Sequence, residues 1–186
     1  MTQFFSSDMH FGHENIIDFC NRPFETVADM DEEIIHRWNE TVKPGDEAYI
    51  LGDVSFHSLE DTVKLLKRLN GNLHLIAGNH DKRYRGKAEF KKCFAWIKDL
   101  YTLKVYDPNI NLYKDLQRIE LCHYALRTWN KSWHGSWSLY GHSHGNLPDD
   151  PTILSIDVGV DSHDFRPVSF EEIKVIMSEK DWVRQY

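Results

Sequence analysis

Aspartate, histidine and asparagine recur in one kind of place along this chain, at the ends of short apolar runs. "FFSSDMH" delivers Asp8 and His10, "AYILGD" delivers Asp53, and "LIAGNHD" delivers Asn79, His80 and Asp81. "IELCHY" delivers His123, and "SLYGHSH" delivers His142 and His144. Carboxylate, imidazole and amide oxygen without thiolate suit divalent first-row ions such as Mn, Fe, Zn or Ni, rather than a structural zinc site or a calcium cage. Asp8, His10, Asp53, Asn79, His123, His142 and His144 are too many ligands for one ion and enough for two that share a carboxylate. Two such ions about 3.5–4 Å apart bind one phosphate between them and generate a hydroxide for in-line attack. Their charge, less two aspartates and a hydroxide, leaves a site of about +1, to which an anionic phosphoester is attracted.

For residues so far apart in sequence to meet, their strands must lie side by side. In an open α/β sheet, ligands gather outside the carboxyl ends of the strands. Strands are expected over 2–6, 47–51, 72–77, 96–106, 117–122, 137–140 and 152–158, where branched and aromatic residues cluster. Asp8 with His10, and His142 with His144, are i,i+2 pairs that an extended backbone would turn to the same side. Gly52, Gly78 and Gly141 each precede a ligand, where the missing Cβ allows a sharp turn and close approach.

Between the strands, Met30, Ile34, Trp38 and Val42 recur at helical spacing, with Asp29 and Asp31 suited to the helix start. Leu59, Val63, Leu66 and Leu69 do the same after Ser58, and Ser169 with Glu172 has capping-box spacing ahead of Ile173 and Ile176. Strands alternating with helices predict an α/β, layered α+β domain. The 186 residues suffice for one domain, taken as 1–186. Trp129, Trp133 and Trp137 are spaced by four, which suits a helix, but Gly135 argues for a loop that packs on the core or walls a substrate.

Composition narrows the function further. A net charge of −7 gives no basic field to grip a long nucleic acid, although a nucleic-acid end could be a substrate at a local site. Three cysteines in odd number and without CxxC spacing read as free thiols. No run reaches the length of a membrane span, and the residues from Met1 to Phe5 leave no room for a signal peptide, so the cytoplasm is expected. No obligate protein partner is evident.

The order D-x-H, G-D, G-N-H-D, lone His and G-H-x-H resembles the calcineurin-like metallophosphoesterases. "DMHFGHENII", "NRPF" and "GVDSHDFRPVS" resemble their short stand-alone bacterial and phage members. The resemblance implies a two-sheet β sandwich flanked by helices, with two divalent ions, manganese favoured, at one edge. It implies that Asp8, His10, Asp53 and His144 hold one ion and Asp53, Asn79, His123 and His142 the other, with Asp53 bridging. His80 would sit beside the scissile phosphate, stabilising charge or protonating the leaving group, with Asp81 orienting it. Where the protein phosphatases of this superfamily carry an arginine four residues after the bridging aspartate, this chain has His57, which argues against a phosphoprotein substrate. His13, His57 and His163 are expected as substrate contacts, while His36 and His74 read as surface or satisfied histidines. The expected activity is hydrolysis of a phosphodiester or phosphomonoester in a small or exposed substrate, such as a cyclic nucleotide, a nucleotide ester or a nucleic-acid end. The alternative is a non-catalytic protein-binding scaffold of the same fold; intact ligands and an intact His80 favour the enzyme.

Overall fold

The computed structural model describes residues 1–109 and 115–184. In chain order the elements are β1 (Gln3–Ser6), α1 (Asn15–Phe19), α2 (Val27–Thr41), β2 (Glu47–Ile50), α3 (Leu59–Leu66), β3 (Asn72–Ile76), α4 (Ala88–Lys91), β4 (Ile97–Lys98), β5 (Leu100–Tyr106), β6 (Leu116–Cys122), β7 (Trp137–Tyr140), β8 (Ser155–Asp157), β9 (Val168–Ser169) and α5 (Phe170–Ser178). They form two mixed sheets, ordered β4-β3-β2-β1-β9 and β5-β6-β7-β8. Strands β1 to β4 run parallel, β9 runs antiparallel to β1, and β6, β7 and β8 are parallel beside an antiparallel β5. The layered α/β sandwich expected from the sequence is therefore present.

Alternation along the first sheet builds two cores. Phe4, Ala48, Ile50, Leu73 and Leu75 join Ile16 of α1, Met30, Ile34 and Trp38 of α2, Leu65 and Leu66 of α3, and Phe90 of α4. Phe5, Tyr49, Leu51 and Ile76 point the other way and meet Ile119, Leu121 and Leu139 of the second sheet, together with Phe170 and Ile173 of α5. A period of two is what a strand covered on both faces requires.

Two local expectations need correction, and one strand was not expected at all. The run 96–106 is two strands, because the chain leaves the first sheet after Lys98 and enters the second at Leu100. Helix α2 starts at neither Asp29 nor Asp31: its cap is Thr26, whose hydroxyl accepts the Asp29 amide at 3.1 Å. The short β9 carries too little apolar pattern to be read in advance. The caps at Ser58 and Ser169 are as expected, the latter a complete capping box with Glu172. The Trp129–Trp137 segment is a loop with one 3-10 turn at Ser132–His134, and Trp137 is buried on β7 against Phe170.

Candidate metal centre

Parallel alignment of β1, β2 and β3 brings Asp8, Asp53 and Asn79 to one edge, and parallel β6 and β7 bring His123 and His142 to the same place. Two donor groups form there. Asp8, His10 and His144 have ligand atoms within 4.8 Å of one another, as do Asp53, His123 and His142. Asp53 joins them, with Oδ2 lying 3.6 Å from His10 Nε2 and 3.5 Å from His123 Nε2. Asn79 Oδ1 lies 3.0 Å from His123 Nε2. All seven residues expected as ligands are thus brought together.

The backbone that does this is not extended. Asp8, His10, Asp53, His142 and His144 have φ of 59°, 52°, 55°, 68° and 48°. This left-handed region costs a non-glycine residue about 1–2 kcal/mol, so the i,i+2 pairs face one point through turns that the surroundings must hold. The glycines matter for space. A Cβ at Gly78 would collide with Asp53 Oδ1, and one at Gly141 with Ser7 and Asp8 side chains.

Electrostatics and hydrogen bonding fit a cation. His123 gives its Nδ1–H to the Leu51 carbonyl at 2.7 Å, which leaves Nε2 as a lone-pair donor toward Asp53. His144 is fixed in the same sense by Asp161 Oδ2, 2.7 Å from its Nδ1. Asp8 Oδ1 and both ring nitrogens of His10 are buried with no hydrogen-bond partner. Leaving such groups unmet costs about 1–3 kcal/mol each, and a coordinated ion would remove that cost at Asp8 Oδ1 and at the ligating nitrogen of His10. Burial drives the His10 ring down to about 2, so it stays neutral and able to ligate. Burial also lifts Asp8 to about 7, against the opposing charge of His144. A tightly packed carboxyl with so costly a charge suits an adjoining cation.

The remaining expected site residues divide. His80 stays at the mouth, its side chain about half exposed, 3.9 Å from Asp53 Oδ2 and beside the rings of His10 and Phe56. His13 stacks on Phe56 with ring centroids 4.1 Å apart and holds a buried, unpartnered Nδ1 near His10. Asp81 differs from expectation. Its oxygens accept the amides of Asp53 at 3.0 Å, Val54 at 3.0 Å and Gly78 at 2.8 Å, so it braces the two ligand loops instead of orienting the His80 ring. His57 and His163 are also turned elsewhere. The His57 ring packs over Gly12 and meets Asp31 Oδ2 at 2.6 Å, while His163 gives its Nε2–H to the Asp157 carbonyl at 2.7 Å. Both buttress loops. His74, read as satisfied, pairs with Glu47. Arg22 carries no sequence signal beyond its place inside "NRPF", and Asp161, a weaker candidate for a substrate contact from its place in "GVDSHD", is instead bound to Arg22 and His144.

Comparison with known proteins gives concordant results. The family model for calcineurin-like phosphoesterases matches residues 1–154. Uncharacterized protein MJ1445 of Methanocaldococcus jannaschii is 34% identical over 185 residues, covering 96% of this chain and 92% of that one. Gene 66 protein of Mycobacterium phage L5 is 27% identical, with 91% and 90% covered. The crystal structure of AQ665, a protein of unknown function from Aquifex aeolicus, superposes with a TM-score of 0.70 at 26% identity, over 94% of this chain and 98% of that one.

Proposed function

The chain belongs to the calcineurin-like phosphoesterase family and is a phosphoester hydrolase; within that class we propose a dinuclear centre acting on a small or exposed substrate. The observation that carries this reading is the pair of donor groups joined by Asp53, with buried donors left unmet at Asp8 and His10. Asp8, His10, Asp53 and His144 would hold one ion, and Asp53, Asn79, His123 and His142 the other. The mixed carboxylate, imidazole and amide set suits Mn, Fe, Zn or Ni, and manganese is favoured among them by the resemblance to the family. When bound, the ions supply Lewis-acid polarisation of a phosphoryl group and make water acidic enough to attack as hydroxide near neutral pH.

The chain's own side chains supply the rest. His80, at the mouth and unburied, is placed to give a proton or hydrogen bond to the departing oxygen of the ester. His13 presents an unpartnered Nδ1 beside His10 and offers a contact to a phosphate oxygen. Cyclic nucleotides, nucleotide esters and nucleic-acid ends fit a site at a sheet edge in a chain whose net charge of −7 gives no overall basic field to grip a long polymer. The three free cysteines suit a reducing cytoplasm. Among the described residues no helix is long and apolar enough to cross a membrane.

The test is elemental analysis joined to a substrate panel at fixed metal concentration. Two ions per chain, activity abolished by chelation and restored by manganese, and a preference within phosphomonoesters or phosphodiesters are expected. An active, fully loaded sample with one ion or none would overturn the dinuclear reading.

A further inference from the structure

We propose that Arg22 and Asp161 are a buried positioning pair that sets the geometry of one ion site, the one bounded by Asp8, His10 and His144, while leaving its neighbour alone. The proposal rests on the dinuclear reading above.

Arg22 is 4% exposed, and its guanidinium is spent on four oxygens. Nε and one terminal nitrogen reach Asp161 Oδ1 and Oδ2, each at 2.8 Å. That same terminal nitrogen donates to the Asp8 carbonyl at 2.8 Å, and the other to the Met9 carbonyl at 3.0 Å. Asp161 Oδ2 in turn accepts from Nδ1 of His144. One guanidinium and one carboxylate therefore tie the turn that carries Asp8 and His10 to the loop that carries His144.

The physical need is visible in the backbone. Asp8 and His10 are both left-handed, and a turn of this kind persists only where its surroundings over-determine it. Two successive carbonyls aimed into one planar fork supply that constraint, which a lysine's single ammonium cannot reproduce. On the other side, a carboxylate behind a ligating imidazole fixes its tautomer and ring orientation and raises its basicity as a ligand. The second donor group touches this frame at one point, where the His142 amide donates to Asp8 Oδ2 at 2.8 Å, and is otherwise held by the Leu51 carbonyl behind His123 and the amides gathered by Asp81. Cys20 lies close enough to His144 and Asp161 to suggest a further metal cluster, but both Asp161 oxygens are already committed to Arg22 and His144. The pair also gives a use to "NRPF" and "GVDSHD", which the seven donors leave unexplained.

The test uses the full chain, stripped of metal and titrated with Co(II), with chelator competition for affinity and visible absorption for coordination. Wild type is compared with Asp161→Asn, Arg22→Lys and His144→Ala. In Asp161→Asn and Arg22→Lys, one of the two ions should bind about 10–100-fold more weakly and the other unchanged, with the same spectral band altered as in His144→Ala. Should Arg22→Lys fail to fold, the near-isosteric Asp161→Asn gives the same comparison alone. Unchanged affinity at both sites, or an equal loss at both, would overturn the pairing while leaving the dinuclear centre standing. A wild-type chain that binds fewer than two Co(II) ions would instead overturn the dinuclear reading, and the pairing with it.

Discussion

Asp53 Oδ1 accepts the backbone amide of His80 at 2.9 Å, so the carboxylate between the two donor groups is also fastened to the loop at the mouth. Its other oxygen faces His10 and His123 together. Replacing Asp53 by asparagine keeps an acceptor for the amide but removes the charge that separates two cations at short range. Asp53→Asn should therefore lose ions from both sites and fall in activity by more than the roughly 10–100-fold typical when a residue that only orients a ligand is changed. Elemental analysis and kcat/KM check this, and a variant retaining two ions with near-normal turnover would remove the bridge from the scheme.

His80 contributes its amide to Asp53 but leaves its ring half exposed, so the ring is expendable for metal binding. His80→Ala should keep both ions. It should lose about 10²–10⁴ in rate on an alkyl or nucleoside ester and clearly less on a nitrophenyl ester, whose leaving group needs little protonation. Equal losses on the two esters would assign the ring to charge stabilisation instead.

Asp81 makes a different kind of prediction, because its three backbone amides come from two loops. Asp81→Ala leaves those buried donors unmet at about 1–3 kcal/mol for each one, partly relieved by relaxation. The metal-free variant should be less stable by about 2–4 kcal/mol, measured by urea unfolding, and should bind both ions more weakly. A variant that folds as wild type does and alters only the leaving-group dependence would return Asp81 to the role of orienting His80.

Asp8 gives the metal-free protein a pH dependence of known sign. Its carboxyl, lifted by burial from 3.8 to about 7, favours the folded state in full below 3.8, and that contribution is lost as the pH rises through about 7. Asp8→Asn carries no such charge. With chelator present, the variant should gain about 1–3 kcal/mol on wild type at pH 8 and little at pH 4, read from urea midpoints. Proton and cation compete for the same oxygens, so wild-type metal affinity should weaken below pH 7. A variant with the same advantage at both pH values would contradict the burial argument.

The donors were legible because each follows a short run built on Phe, Ile, Leu or Tyr, and parallel strands align such endings without further information. Other features depend on alignment the sequence does not display. Nothing punctuates 96–106 at Asp99, so a change of sheet looks like one long strand. Asp81 stands next to His80 in sequence, which suggested a local partnership, whereas its partners appear only once β2 and β3 are side by side. Arg22 and Asp161 are 139 residues apart, beyond any periodicity that could pair them. The left-handed turns at Asp8 and His142 were masked by spacing that an extended strand would satisfy equally well.

Both donor groups draw on both sheets, since Asp8, His10, Asp53 and Asn79 follow the first and His123, His142 and His144 the second. The apolar layer of Phe5, Leu51, Ile76, Ile119, Leu121 and Leu139 is thus a spacer that sets how far one half of the site stands from the other. Substitutions there and in the helix-side core can cost the same stability yet differ in tolerance. Shaving a methylene beneath α2 loosens the scaffold, whereas doing so between the sheets also detunes the spacing between the two halves of the site. Random mutagenesis should accordingly meet two kinds of core: one permissive wherever folding survives, the other a calibration surface on which inactive but well-folded chains accumulate.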